Sequence, residues 1–117
     1  MNVLSLMVDQ SLGGGRFVVT SNCRSDIPVG TVFTTLFSER KKYVEQTFVL
    51  EDTGPTLGVC LKIISVEFWR KPYTCVPYGH HAGVQFDGTD IEILESYLAE
   101  HPTPWHVFLD SDGVARP

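Results

Sequence analysis

The sequence is short of everything that would make it a membrane-spanning, zinc-binding, disulfide-stapled or GTP-hydrolysing chain. No stretch approaches the roughly 18 consecutive apolar residues that cross a bilayer, so no membrane partner is expected. The opening residues, Met1 to Val8, are apolar but carry no basic segment and no small-residue cleavage site. They do not read as a signal peptide, and the cytoplasm is the expected location. The three cysteines, Cys23, Cys60 and Cys75, are odd in number, far apart and free of any Cys-x-x-Cys pair. That suggests neither a disulfide framework nor a zinc site and leaves buried or half-buried free thiols as the expected state. No Gly-x-x-x-x-Gly-Lys-Ser/Thr loop occurs, and the triple glycine at 13–15 is not followed by Lys-Ser/Thr, so GTP hydrolysis is not expected. Positive charge is also scarce: 9 Lys and Arg stand against 14 Asp and Glu, a net charge of −5. Such a chain is a poor general binder of nucleic acid, because phosphate contact draws on clustered Lys and Arg. The one local exception, Arg40-Lys41-Lys42, reads as a solvated loop tip.

What is present suits one small domain. With 117 residues, 43% of them hydrophobic, the chain can bury a core without staples and leaves no room for a second domain. Most of it reads as strand. Val3 to Val8 is an apolar run, and Ser11 to Gly15 is a turn, since consecutive glycines supply positive φ cheaply. Arg16 to Cys23, Thr31 to Phe37 and Tyr43 to Leu50 are β-branched and aromatic, with turn residues at 24–30 and 51–58. Val59 to Arg70 is the longest strand candidate. A strict period of two puts Ile64, Val66 and Phe68 on its core face and Ser65, Glu67 and Trp69 on the other. Pro72 and Pro77 then break the ladder, and Ala82, Val84 and Phe86 alternate inward on a further strand. A helix is predicted at about Asp90 to Ala99, with Thr89 as N-cap, Glu92 completing a capping box, and Ile91, Leu94 and Leu98 as its apolar stripe. Trp105 to Leu109 is a candidate last strand, and Asp112-Gly113 a turn. Many short strands separated by turns indicate an antiparallel barrel or sandwich.

The residues of several of these strands resemble the second domain of elongation factor Tu, the β-barrel domain of translational GTPases. Gly15-Arg16-Phe17-Val18-Val19-Thr20 followed by Ile27-Pro28-Val29-Gly30-Thr31 is similar to the family's Gly-Arg…Val-Val-Thr-Gly strand, turn and Ile-x-Val-Gly-Asp. Lys62 to Lys71 is similar to its Val-Glu-Met-x-Arg-Lys strand. Tyr78 to Gly88 falls where the family has Ala-Gly-Asp-Asn-Val-Gly-Leu-x-Leu-Arg-Gly. Order and spacing match from about Val3 to Gly88. The departures are Thr20-Ser21 for Thr-Gly, His80-His81 for Asp-Asn, and Asp87-Gly88 for Arg-Gly. After Gly88 the return strand looks to be replaced by a helix and tail. The resemblance implies a six- or seven-stranded antiparallel barrel over 1–88, with residues 89–117 packed on it as helix and tail.

The family's domain two holds the aminoacyl end and terminal adenosine of a charged tRNA. Carried over, the pocket residues are Glu67, Trp69 and His81, with Arg70 and Lys71 matching a basic pair. An aromatic ring can stack on a base, and a carboxylate can accept from ribose hydroxyls or an exocyclic amine. The plainer reading makes Glu67 a solvated strand residue and Trp69 a satellite of the core. His80-His81 gives no metal site in a regular strand, where neighbours point to opposite faces. Asp110-Ser111-Asp112-Gly113 opens like a calcium loop but lacks the distal glutamate. Cys75, near His80, is a weak candidate for a thiolate pair. Two functions remain in play. The first is a non-enzymatic binding domain without a GTPase domain, contacting aminoacyl-tRNA, another RNA end or a protein through an outer barrel face. The second is a protein-interaction scaffold, such as an inhibitor or immunity-type protein, with no RNA role. Neither needs a cofactor, and oligomeric state is open.

Overall fold

The computed structural model describes residues 4–111. Its elements are β1 (Ser5–Gly13), β2 (Arg16–Ser21), β3 (Ile27–Pro28), β4 (Val32–Val44), β5 (Thr47–Thr53), β6 (Leu57–Phe68), β7 (Lys71–Tyr73), β8 (Cys75–Val76), β9 (His81–Asp87), α1 (Ile91–Glu100) and β10 (Trp105–Ser111). Strands β4, β10, β1, β2, β9 and β6 follow one another, and β6 pairs back onto β4, so the sheet closes into a ring of six strands. Every pairing is antiparallel. The expected small all-β barrel is therefore present, and closure leaves the staves themselves without free edges.

Alternation along most staves builds the interior. Phe17 and Val19 on β2, and Val84 and Phe86 on β9, face the core with Leu6, Phe33, Leu36, Leu61 and Leu109. Phe86 meets Phe17 at 5.7 Å and Phe33 edge-on at 6.2 Å, which fills the centre with rings. Ile27 and Val76 pair across the short β3–β8 ladder and are fully buried at one end. The other end is covered by α1, whose Leu94 and Tyr97 are buried. The Tyr97 hydroxyl reaches Ser38 Oγ at 2.8 Å and donates to the Pro55 carbonyl at 2.7 Å.

Four sequence expectations need correction. On β6 the predicted core face Ile64, Val66 and Phe68 fails at Ile64, which is 47% exposed while Leu61 and Ile63 before it are buried; Val66 is buried and Phe68 is half-buried against the core. A register shift between Ile63 and Ser65 against β9 causes this, because one extra residue reverses the parity of all that follows. The Arg40-Lys41-Lys42 segment is not a loop tip. It lies inside β4, which runs unbroken to Val44, and the turn is Glu45-Gln46. The helix starts one residue later than a Thr89 cap implies. Its N-cap is Asp90, without a side-chain capping bond, and Asp90 Oδ2 instead accepts from the Cys60 N–H at 2.7 Å. Finally, residues after Gly88 are not merely a helix and tail laid on a finished barrel. β10 is a stave, seated between β4 and β1. The proposed Asp112-Gly113 turn lies outside the described residues.

Two hairpins project from the ring. β4 and β5 continue past the barrel as a two-stranded arm whose residues from Lys41 to Thr53 are all exposed. β6 and β7 form a shorter hairpin that ends in the turn Trp69-Arg70.

Candidate functional site: a ring cluster on the β6–β7 hairpin

The local chain path decides what Trp69 can do. Trp69 and Arg70 both adopt left-handed backbone, at φ 55° and 62°. These are the paired positive φ values of a two-residue turn matched to strand twist. Trp69 is thus not a strand residue sharing Glu67's face, as a regular strand would have it. It stands at the hairpin tip, 79% exposed, and neither α1 nor β10 covers it.

Phe68 organises the rings around it. Trp69 lies edge-on at 5.8 Å, Tyr73 edge-on at 5.3 Å and the His80 imidazole at 5.2 Å. A depression of about 330 Å³ is lined by Phe68, Trp69, Gly79, His80 and His81. Arg70 and Lys71 are exposed beside it, at the turn and the start of β7. The cluster sits at the barrel end away from α1: His81 pairs with Thr20 at the far end of β2, while Gly15 at its near end approaches Ile91.

Of the residues expected to converge, the structure joins Trp69 and His81 in one depression and leaves Glu67 aside. Glu67 faces outward opposite Gly83, with Arg16 Nη2 3.7 Å from its carboxylate. Both partners are more than half exposed, so this pair adds little stability. His81 Nε2 lies 3.4 Å from Asp9 Oδ2, which also accepts from the Thr20 hydroxyl at 2.9 Å. The adjacent histidines both line the depression but have different partners: His80, in the turn before β9, meets the Phe68 ring, and His81, the first residue of β9, lies by Asp9. Among the described residues no group of three or more His, Cys, Asp or Glu side chains is arranged to hold a metal ion.

Cys75 does not make a nucleophile here. Burial, and secondarily the Asp26 carboxylate, push its thiol above the ordinary value, and a reactive cysteine needs the opposite shift. Sequence reasoning missed Phe68 as the hub, and Tyr73 and His80 as its neighbours. The available signal was the spacing of Val66, Phe68 and Tyr73 around Trp69-Arg70. It is weak because the turn lacks the Asn-Gly that marks such hairpins.

A larger open groove of about 610 Å³ lies elsewhere, between the β4–β5 arm and the outer face of β1 and β10. Met7, Phe48, Trp105 and Phe108 line it with Lys41 and Asp9. It is roomier than the ring cluster, and Arg40 lies over its Trp105 ring; the ring cluster is preferred as the candidate site because it presents Trp69, 79% exposed, beside His81. No family model, curated protein or solved structure matches the chain.

Proposed function

We propose that this chain is a non-enzymatic binding module that takes an unpaired RNA end, such as the terminal adenosine of an aminoacyl-tRNA, onto the Phe68–Trp69 ring cluster. The observation that carries this reading is Trp69 itself: a large ring held in left-handed backbone, 79% open to solvent and braced edge-on by Phe68. Holding a non-glycine residue there costs roughly 1–2 kcal/mol. Bases of any identity stack on such a face. Arg70 and Lys71 add the local positive charge that a phosphate needs. The net charge of −5 disfavours contact along a long backbone and suits recognition of a single exposed end.

Kinship with elongation factor Tu domain two belongs to the same proposal, as does a cytoplasmic setting. A closed antiparallel barrel, and the open position of three residues matched to the family's pocket, support it. Among the described residues no helix is long and apolar enough to cross a membrane. Protein docking is the second reading, and the exposed β4–β5 arm is the observation in its favour.

Tryptophan emission tests the proposal. Adenosine monophosphate, an oligonucleotide ending in CCA and aminoacyl-tRNA are titrated into wild type and Trp69→Ala. Stacking worth about 1–3 kcal/mol per base predicts quenching in wild type and about 5- to 150-fold weaker binding in the variant. Binding should also weaken with added salt. Equal affinity of both chains, or no quenching by any of the three probes, sinks the reading.

A further inference from the structure

We propose that the β4–β5 arm is a self-association element, in which β5 pairs antiparallel with β5 of a second copy across a two-fold axis at Val49.

The arm is unfinished as it stands. A two-stranded ribbon is marginally stable in water and needs a third strand or a packed face. Here every residue of β5 is exposed, including Phe48 at 70% and Leu50 at 51%. Among the described residues β5 ends the sheet order on one side and β7 on the other. The two edges differ in chemistry. β7 reads Lys71-Pro72-Tyr73, and a lysine and a proline are what blunt an edge against pairing. β5 reads Thr47-Phe48-Val49-Leu50 before its two acids, with neither lysine nor proline. Only one of two comparable edges is protected, and the unprotected one carries the apolar side chains.

The base of the arm is held rigid, which lowers the cost of presenting that edge. Arg40 Nε lies 3.1 Å from Glu51 Oε2, its Nη2 lies 3.5 Å from Asp52 Oδ2, and its guanidinium sits 5.1 Å over the Trp105 ring. The acidic end of β5 is thereby partly neutralised within its own chain.

A second copy fits the edge better than an arbitrary strand because the sequence is self-complementary there. The turn at Glu45-Gln46 pairs Val44 with Thr47, Tyr43 with Phe48, Lys42 with Val49 and Lys41 with Leu50. Antiparallel hydrogen bonds alternate, and a two-residue loop closes on a bonded pair. The backbone groups of Thr47 and Val49 therefore turn to β4, and those of Phe48 and Leu50 turn to the free edge. With the two-fold axis at Val49, Phe48 exchanges both hydrogen bonds with Leu50 of the second copy, and Leu50 does the same with its Phe48. The result is four bonds. Phe48 then packs beside Leu50 of the other chain, continuing the Tyr43–Phe48 ring contact of 5.1 Å, and Val49 packs against Val49. Glu51 meets Thr47, so no like charges oppose. The joint is small, so dimerisation is concentration-dependent rather than permanent.

Sedimentation over a concentration series, with wild type, Leu50→Pro and Val49→Lys, reads the outcome. Leu50→Pro removes an outward N–H while sparing the bonds to β4, and Val49→Lys sets two ammonium groups across the axis. Wild type should shift from monomer to dimer with concentration, and both variants should lose that shift while keeping wild-type circular dichroism. As a check that survives misfolding of either variant, Val49→Cys in a Cys60→Ser background should form a disulfide-linked dimer on mild oxidation. Cysteine at Thr53, beyond the paired segment, should not. A wild type that stays monomeric at its highest soluble concentration overturns the proposal, as does a dimer unaffected by both substitutions or a failure of the Val49→Cys chains to cross-link.

Discussion

Replacing Trp69-Arg70 by Asn-Gly separates what the β6–β7 turn costs from what it does. Both residues sit in left-handed backbone, where an ordinary side chain costs roughly 1–2 kcal/mol. Glycine removes that cost and asparagine much of it, so relief at the two positions comes to roughly 2 kcal/mol. Against this stands the lost indole. Roughly a fifth of its surface is covered, mainly by the edge-on contact with Phe68, and removing it costs about 1 kcal/mol. The double variant should therefore be more stable than wild type by about 1 kcal/mol, a rise in Tm of roughly 3–6 °C for a chain of this size. Thermal melts followed by circular dichroism measure this, and RNA-end titrations run beside them should show binding lost. A variant less stable than wild type by 1 kcal/mol or more would refute the turn geometry, since relief of left-handed strain would then be absent.

Other outcomes follow from the core, the buried hydroxyl and the titrating groups. Phe17→Ala should cost about 3–5 kcal/mol in urea melts, while Ile64→Ser should stay within about 0.5 kcal/mol, because the bulge turns Ile64 to solvent. Tyr97→Phe leaves the Pro55 carbonyl without its donor and Ser38 Oγ without its partner, and should cost about 1–3 kcal/mol. Burial raises the thiol of Cys75 and the phenol of Tyr97, the Asp26 carboxylate adding to the first and the Ser38 hydrogen bond partly offsetting the second. Each group therefore holds its proton longer folded than unfolded. Their contribution to stability is complete below the unfolded values of 9.0 and 10.0 and falls as pH rises through the folded ones, so melts from pH 7 to 11 should show stability declining only on the alkaline side.

The barrel was legible because most of its staves obey a simple alternation. Ala82, Val84 and Phe86 read as inward from spacing alone, and they are buried. The Gly13–Gly15 turn announced itself by composition. What escaped detection departs from local rules. The bulge at Ile64-Ser65 has no glycine to betray it, so the period of two that holds at Val66 and Phe68 put Ile64 on the wrong face. The turns at Glu45-Gln46 and Trp69-Arg70 use residues that avoid left-handed backbone, so β4 was cut short and β6 extended too far. Tyr97 was hidden because the helical stripe looked complete without it, and its role depends on Ser38 and Pro55, which are remote in sequence. The candidate site residues followed the same division. Trp69 and His81 were found together, whereas Phe68 as hub required knowing where the strand ended.

Both projecting hairpins turn on non-glycine residues in left-handed backbone, yet the two turns carry different roles in the readings above, and the same exchange distinguishes them. At 69–70 the turn residues are the site, so Asn-Gly removes function as it adds stability. At 45–46 the turn only joins β4 to β5, and the edge proposed to pair, Phe48 to Leu50, lies beyond it. Glu45→Asn with Gln46→Gly should therefore stiffen the arm, raise the Tm by a few degrees and tighten self-association, because less order remains to be imposed when the second β5 arrives. Sedimentation of this variant beside wild type gives the comparison. Weaker dimerisation in a more stable arm would mean that the tip itself makes the contact, and the two-fold axis at Val49 would have to be abandoned.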